Sequence, residues 1–195
     1  MMDTVRQNLI LGNYGTLASV DSDDGTCYWS VEKNFMLYGS VGMKGWQQGH
    51  DVSYSGNVQI LAHGGPGDDQ WAQAAGSGYG SGLNSAMLGH GYNYTDNFVV
   101  IPAFVNPSGC CHRDWIGTEG FCWANQSNAI NGLARVANNT VYYGDTNITE
   151  CGVLLEEFLA TPGTTDRGTV AHHWDKDSVA LASLALAAAR AALAI

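Results

Sequence analysis

The sequence predicts an all-β chain of stacked coils, closed by helices at its C-terminal end. Three observations carry that expectation. The first is composition: of 195 residues 25 are glycine and only 13% are charged, the reverse of what a helical bundle needs. A hydrophobic share of 45%, with 10% aromatic residues, favours collapse over disorder, and the length suits one domain with a real core. The second is a weak internal repeat, in which an Asn is followed at once by apolar residues. The third is a change of pattern after Gly152, from strand-like stretches to helix-like ones.

The repeat has five instances: Asn8-Leu9-Ile10-Leu11, Asn34-Phe35-Met36-Leu37, Asn57-Val58-Gln59-Ile60, Asn97-Phe98-Val99-Val100 and Asn139-Thr140-Val141-Tyr142. Successive Asn residues are 26, 23, 40 and 42 positions apart. A period of this size signals a solenoid, and β-rich stretches punctuated by Gly and Asn make it a β-solenoid. Asn tolerates the left-handed backbone that turns the chain sharply between strands. Stacked Asn side chains can also hydrogen-bond from coil to coil as a ladder. The expected core is Leu9, Leu11, Phe35, Leu37, Val58, Ile60, Phe98, Val100 and Val141.

Coils are expected over residues 1–151, with loop insertions at about 62–92 and 106–122. The first insertion holds Gly64-Gly65-Pro66-Gly67 and Gly76-Ser77-Gly78-Tyr79-Gly80-Ser81-Gly82, with no lysine and strand–helix context to make it a phosphate loop. Residues 152–195 are expected to cap the stack. Val153 to Leu159 suits a short amphipathic helix, and the Ala-rich run from Val179 to Ile195 suits a terminal helix. That run is marginal for a membrane span and would bury Arg190 in hydrocarbon, so it is read as a helix packed on the domain, with a removed anchor signal as the alternative.

Eight basic residues against 18 acidic ones give a net charge of −10, which argues against a nucleic-acid or anionic-membrane partner. Cys27, Cys110, Cys111, Cys122 and Cys151 include no C-x-x-C pair. A disulfide framework, with one of Cys110 or Cys111 bonded to Cys122, is the economical reading. Four N-x-S/T sequons, at Asn93, Asn125, Asn138 and Asn147, point with the cysteines to an extracellular or cell-surface protein. Met1 to Asn8 has no apolar leader and reads as the middle of a repeat, so the chain is expected to be the C-terminal portion of a longer protein.

The segments Asp21-Ser22-Asp23-Asp24-Gly25, Asn34-Phe35-Met36-Leu37-Tyr38-Gly39, Gly49-His50-Asp51 and Asn138-Asn139-Thr140-Val141-Tyr142, with the closing Gly163-Thr164-Thr165 turn and late helix, carry a resemblance. The chain looks like the C-terminal coils of secreted right-handed parallel β-helix proteins, the superfamily of pectate lyases and polygalacturonases. The resemblance implies that fold over roughly residues 5–195. It is poorly specific for activity, since such folds host hydrolases, lyases, binders and structural proteins.

Asp23, Asp24 and His50 are the expected catalytic set. The step from Asp24 to His50 is 26 residues, about one coil, so stacking would bring carboxylates and imidazole to one face. Paired carboxylates can divide into a general acid and a base that activates water, as glycosidic hydrolysis requires. The arrangement is similar to polygalacturonases, where an Asp pair and a Gly-His pair occupy neighbouring coils. That family's upstream Asn-Thr-Asp and downstream Arg-x-Lys are not found here, which leaves Arg113 to meet an anion. The same acidic stretch also suits a polar turn, or a calcium ion, although no cofactor is required. Lys44 and Arg113 are the candidates for lyase chemistry, which ranks below hydrolysis.

Aromatic residues in polar, Gly-rich settings are the second functional hint: Tyr28, Trp29, Trp46, Tyr54, Trp71, Tyr79, Tyr92, Tyr94, Trp115 and Trp123. Their faces stack on sugar rings when exposed and fill the core when not. Asp51, Trp46, Trp71, Arg113 and Trp115 are the expected substrate-binding residues. His172-His173 reads as a surface pair. Two functions follow as expectations: a polysaccharide-binding protein that also cleaves its ligand, or a non-catalytic surface scaffold for glycan or protein.

Overall fold

A computed structural model describes residues 1–11, 20–22, 26–37, 41–43, 50–60, 92–101, 134–143, 149–150, 153–161, 166–173 and 178–194. Apart from Tyr92, the expected insertions at 62–92 and 106–122 fall outside them. The described chain is mostly parallel strand, arranged in two six-stranded sheets with two helices. One sheet runs β1 (Asp3–Arg6), β4 (Cys27–Glu32), β7 (His50–Ser55), β9 (Tyr92–Thr95), β11 (Ala134–Ala137) and β15 (Asp166–Arg167), each beside the next. The other runs, in the same order, β2 (Leu9–Leu11), β5 (Phe35–Leu37), β8 (Val58–Ile60), β10 (Phe98–Ile101), β12 (Thr140–Tyr143) and β16 (Val170–His173). Two smaller pairs complete the strands: β3 (Val20–Ser22) lies parallel to β6 (Val41–Met43), and β13 (Thr149–Glu150) antiparallel to β14 (Val153–Leu154).

Each strand of the first sheet reaches its partner in the second through a two-residue corner. The first corner residue is left-handed in all six: Gln7 (φ 56°), Lys33 (52°), Gly56 (64°), Asp96 (60°), Asn138 (57°) and Gly168 (78°). The left-handed residue is thus the one before the repeated Asn, not the Asn itself as the sequence suggests. For a residue with a Cβ this conformation costs roughly 1–2 kcal/mol. At Gly168 space is short as well, since a Cβ would stand 2.7 Å from Asn138 Oδ1, whereas at Gly56 the nearest atom is 3.5 Å away.

The second corner residue forms the expected ladder. The backbone N–H and Nδ2 of Asn8 both donate to Asn34 Oδ1, at 3.0 Å each. Asn34 donates in the same way to Asn57, Asn57 to Asn97, and Asn97 to Asn139, at 3.0 to 3.1 Å. Each of these carboxamides sends its second N–H back to a carbonyl of the preceding coil: Asn34 to Val5, Asn57 to Val31, Asn97 to Tyr54 and Asn139 to Tyr94. The series ends at Thr169, whose Oγ1 accepts from Asn139 N–H and Nδ2 at 3.2 and 3.3 Å. Asn34, Asn57, Asn97 and Asn139 are buried, so the ladder converts four costly polar groups into satisfied ones.

The corner also sets which residues point inward. In the first sheet the buried column is Val31, Tyr54 and Tyr94; in the second it is Met36, Gln59, Val99 and Val141. These second-sheet residues stand two places after the corner Asn, so of the expected core only Val141 has the inward phase. Leu9 and Leu11 instead face out, 60% and 56% exposed. Val58 and Val100 are buried although they lie on the outer face. Gln59 replaces an apolar residue in the core: its Nε2 donates to Tyr94 Oη at 2.9 Å, while its Oε1 meets no donor among the described residues.

Two helices cover different parts. In α1 (Leu155–Ala160) Glu156 and Glu157 occupy the first turn, where a helix favours negative charge. This helix packs against β13, β14 and β16, with Phe158 fully buried. Helix α2 (Ser178–Leu193) forms from the Ala-rich run and lies across β8 and β5, with Ala189 and Ala192 buried. Small side chains on that side let the helix approach the sheet closely. The expectation that both helices close the end of the stack is therefore corrected for α2, which lies on β5 and β8 in the middle of the second sheet, while α1 packs on β13, β14 and β16. The sheets also run past residue 151, because β15 and β16 form a sixth coil whose corner carries Thr169 in place of Asn.

Candidate functional site

Two regions hold side chains or backbone fit for chemistry. The first is an aromatic row on the outer face of the second sheet. Phe98 in β10 and Tyr142 in β12 have ring centroids 5.5 Å apart, and Tyr142 stacks on His172 of β16 at 5.0 Å with 28° between the planes. Phe98 and Tyr142 are half-buried and His172 is exposed. Thr140 and Val170 share that face, since Thr140 pairs with Val170 and Tyr142 with His172. The alternation of a strand puts these residues outward once Val99, Val141 and Ala171 point in.

The second region is the start of β4 and β7. The register puts Cys27 beside His50 and Trp29 beside Val52. Between those pairs lie Tyr28 (φ 57°) and Asp51 (φ 54°), both left-handed, in adjacent coils. Asp accepts this conformation better than Tyr, for which it is an outlier of the kind that collects at functional sites. Cys27 is an exposed free thiol; the other four cysteines lie outside the described residues.

Of the residues expected to act, His50 opens β7 and Asp51 follows it, half-buried. Asp23, Asp24, Trp46, Trp71, Arg113 and Trp115 lie outside the described residues, as do Lys44 and the remaining expected loop aromatics Tyr79 and Trp123. The neighbour of His50 across the ladder is Cys27, because the coil step here is 23 residues; the 26-residue step separates Asn8 from Asn34, one coil earlier. Among the described residues no three His, Cys, Asp or Glu side chains gather to hold a metal ion, and no helix is long and apolar enough to cross a membrane.

Tyr54 and Tyr94 are core residues with rings 6.4 Å apart, not sugar platforms. Burial pushes the Tyr94 phenol well above its usual range, and the Gln59 hydrogen bond only partly opposes that. Tyr143 donates its hydroxyl to Glu156 Oε1 at 2.6 Å, tying β12 to α1. Burial, and then that carboxylate, raise its phenol in the same way. Of the sequon asparagines described, Asn93 is half-buried within β9, while Asn138 is exposed at a corner, with its Nδ2 donating to Asp96 Oδ1 at 3.3 Å.

Sequence reasoning missed Phe98, Tyr142 and His172 as a group. Aligning the coils on their corners pairs Tyr142 with His172, three places after Asn139 and Thr169, but not Phe98, which stands one place after Asn97 and meets Tyr142 diagonally. Comparison with protein-family models, with curated proteins and with solved structures finds no match.

Proposed function

We propose that the chain is a right-handed parallel β-helix of the pectate-lyase-like kind, acting outside the cell, and that it binds an extended neutral glycan along the outer face of β10, β12 and β16. The observation that carries the reading is the row of Phe98, Tyr142 and His172. Rings in successive coils follow the strand spacing of about 4.8 Å. The row therefore repeats along the stack as sugar residues repeat along a polymer; because Tyr142 and His172 stack on one another, it is their ring edges, with the phenol hydroxyl and the imidazole nitrogens, that meet the sugar hydroxyls. Parallel, in-register stacking of six strand pairs supports the β-helix reading. The net charge of −10 favours a neutral ligand over a polyanion.

Retention on a panel of neutral polysaccharides tests this, with Tyr142→Ala and His172→Ala compared with the native chain. Both side chains lie on the outer face, so circular dichroism should stay native. Binding about tenfold weaker or more in both variants supports the reading. Native retention that neither substitution changes overturns it, and so does no retention at all.

Cleavage of the bound glycan is a second reading, favoured by the two left-handed residues Tyr28 and Asp51 flanking the Cys27–His50 pair. In it, Asp23 and Asp24 divide acid and base roles and His50 assists. New reducing ends that vanish in Asp24→Asn would support it. Their absence from every substrate that the protein retains would leave a binder alone.

A further inference from the structure

On the outer face of the second sheet, Val58, Phe98 and Val170 belong to one in-register column, and Val100, Tyr142 and His172 to its neighbour. Exposure along both columns rises in one direction. Val58 and Val100 are 2% and 1% exposed, Phe98 and Tyr142 are half-buried, and Val170 and His172 stand in water. Side chains on an outer face are buried where something lies on them, and α2 packs on β5 and β8. Its 16 residues make a helix about 24 Å long. Laid along the stack, such a helix would cross about five strands at a spacing of about 4.8 Å. Its main footprint is two neighbouring strands, so its axis crosses the columns instead. At about 10 Å wide with its side chains, a helix seated on β8 also overhangs β10, which accounts for the burial of Val100. The aromatic row thus begins against a wall at β10 and runs away from it through β12 to β16.

Resting on the reading that this row binds a neutral glycan, we propose that it takes the end of a glycan chain and not its interior. A polymer threaded along the row would continue past Phe98 into the volume that α2 fills. A chain that stops there meets no such obstacle. The terminal sugar sits at Phe98 beside the flank of α2, the next one at Tyr142 and the third at His172. The phenol hydroxyl and the imidazole nitrogens give hydrogen bonds to the second and third sugars, while the first has only the apolar Phe98 ring beneath it. From β10 to β16 is two strand steps, about 10 Å, which limits the contact to about three sugar residues. The rest of the chain leaves past His172 and Val170. The ligand class is therefore a short neutral oligosaccharide, or the terminus of a longer neutral chain.

The probes are laminarin, amylose and linear mannan, each intact and after partial hydrolysis, with their purified oligosaccharides from monomer to hexamer. For a polymer that the protein retains, halving the mean chain length should about double the protein bound per gram at saturation, because each chain end is one site. Affinity should rise from monomer to trimer and stay level from there to hexamer. Protein bound per gram that does not change as the chains are shortened would overturn the proposal and leave the glycan reading standing. Affinity that still climbs from trimer to hexamer would do the same. No retention on any of the three, or retention that Tyr142→Ala and His172→Ala leave unchanged, would remove both.

Discussion

The two ends of the stack carry the same strand pair and corner, yet they finish differently. At the C-terminal end the Asn of the ladder gives way to Thr169, whose hydroxyl accepts the last two donors. Helix α1 contacts β16, buries Phe158 and is held by the Tyr143–Glu156 hydrogen bond. At the N-terminal end Asn8 keeps a full carboxamide, folds one donor back on Arg6, and leaves Leu9 and Leu11 in water. Repetition of the Asn continues the ladder, and Thr169, which accepts with its hydroxyl, ends the Asn series.

The largest test of that difference removes a ladder residue at the middle and at the open end. Asn97→Ala strands buried partners on both sides and should lower unfolding free energy by about 4 kcal/mol, or prevent folding, whereas Asn8→Ala should cost about 1 kcal/mol or less in urea titrations. Equal losses would mean that the ladder does not hold the stack. Next comes the cap: Phe158→Ala should cost about 3 kcal/mol through the cavity it leaves. Leu9→Ala at the opposite end should change stability by no more than about 0.5 kcal/mol.

The corners sharpen the comparison further. Gly168→Ala forces a Cβ against Asn138 and should cost about 2 kcal/mol, while Gly56→Ala has room and should lose only about 1 kcal/mol of backbone preference. Thermal melts of the two variants would show the order, and a reversed order would discount the close approach at Gly168.

The smallest effect is in alkali. The phenols of Tyr94 and Tyr143 are raised in the folded chain, so between the unfolded value, about 10, and the folded one the unfolded state holds fewer protons. Stability from these groups is full below pH about 10 and falls as pH rises above it. Tyr143→Phe should cost about 1 kcal/mol at neutral pH and blunt the alkaline fall. An unchanged alkaline profile in that variant would place the effect at Tyr94 or elsewhere.

Much of this architecture was legible in the sequence, and its limits have physical causes. The Asn repeat announced the coils and the ladder because one residue type occupies one position five times. The sixth corner is hidden in the sequence because Thr169 does the same accepting without the amide. The inward phase lies one residue from the expected one: apolar side chains stand on both faces of the second sheet, so Leu9-Ile10-Leu11 gives no alternation to follow. The outer face is apolar in its middle because α2 lies on it, a contact between residues far apart in sequence. For the same reason Phe98, Tyr142 and His172 looked unrelated, being brought together only by stacking. The step of 26 residues between Asp24 and His50 matched a coil length, but the coil length varies, and the register at that place is 23.

The central claim is that one ladder of corner side chains, from Asn8 to Thr169, holds the stack along its length. Residue-resolved amide exchange of the native chain tests it most directly. The account predicts the slowest exchange in the interior strands β4, β5, β7, β8, β9, β10, β11 and β12, with the outermost strands β1, β2, β15 and β16 opening first. Exchange that begins at the interior corners would contradict it.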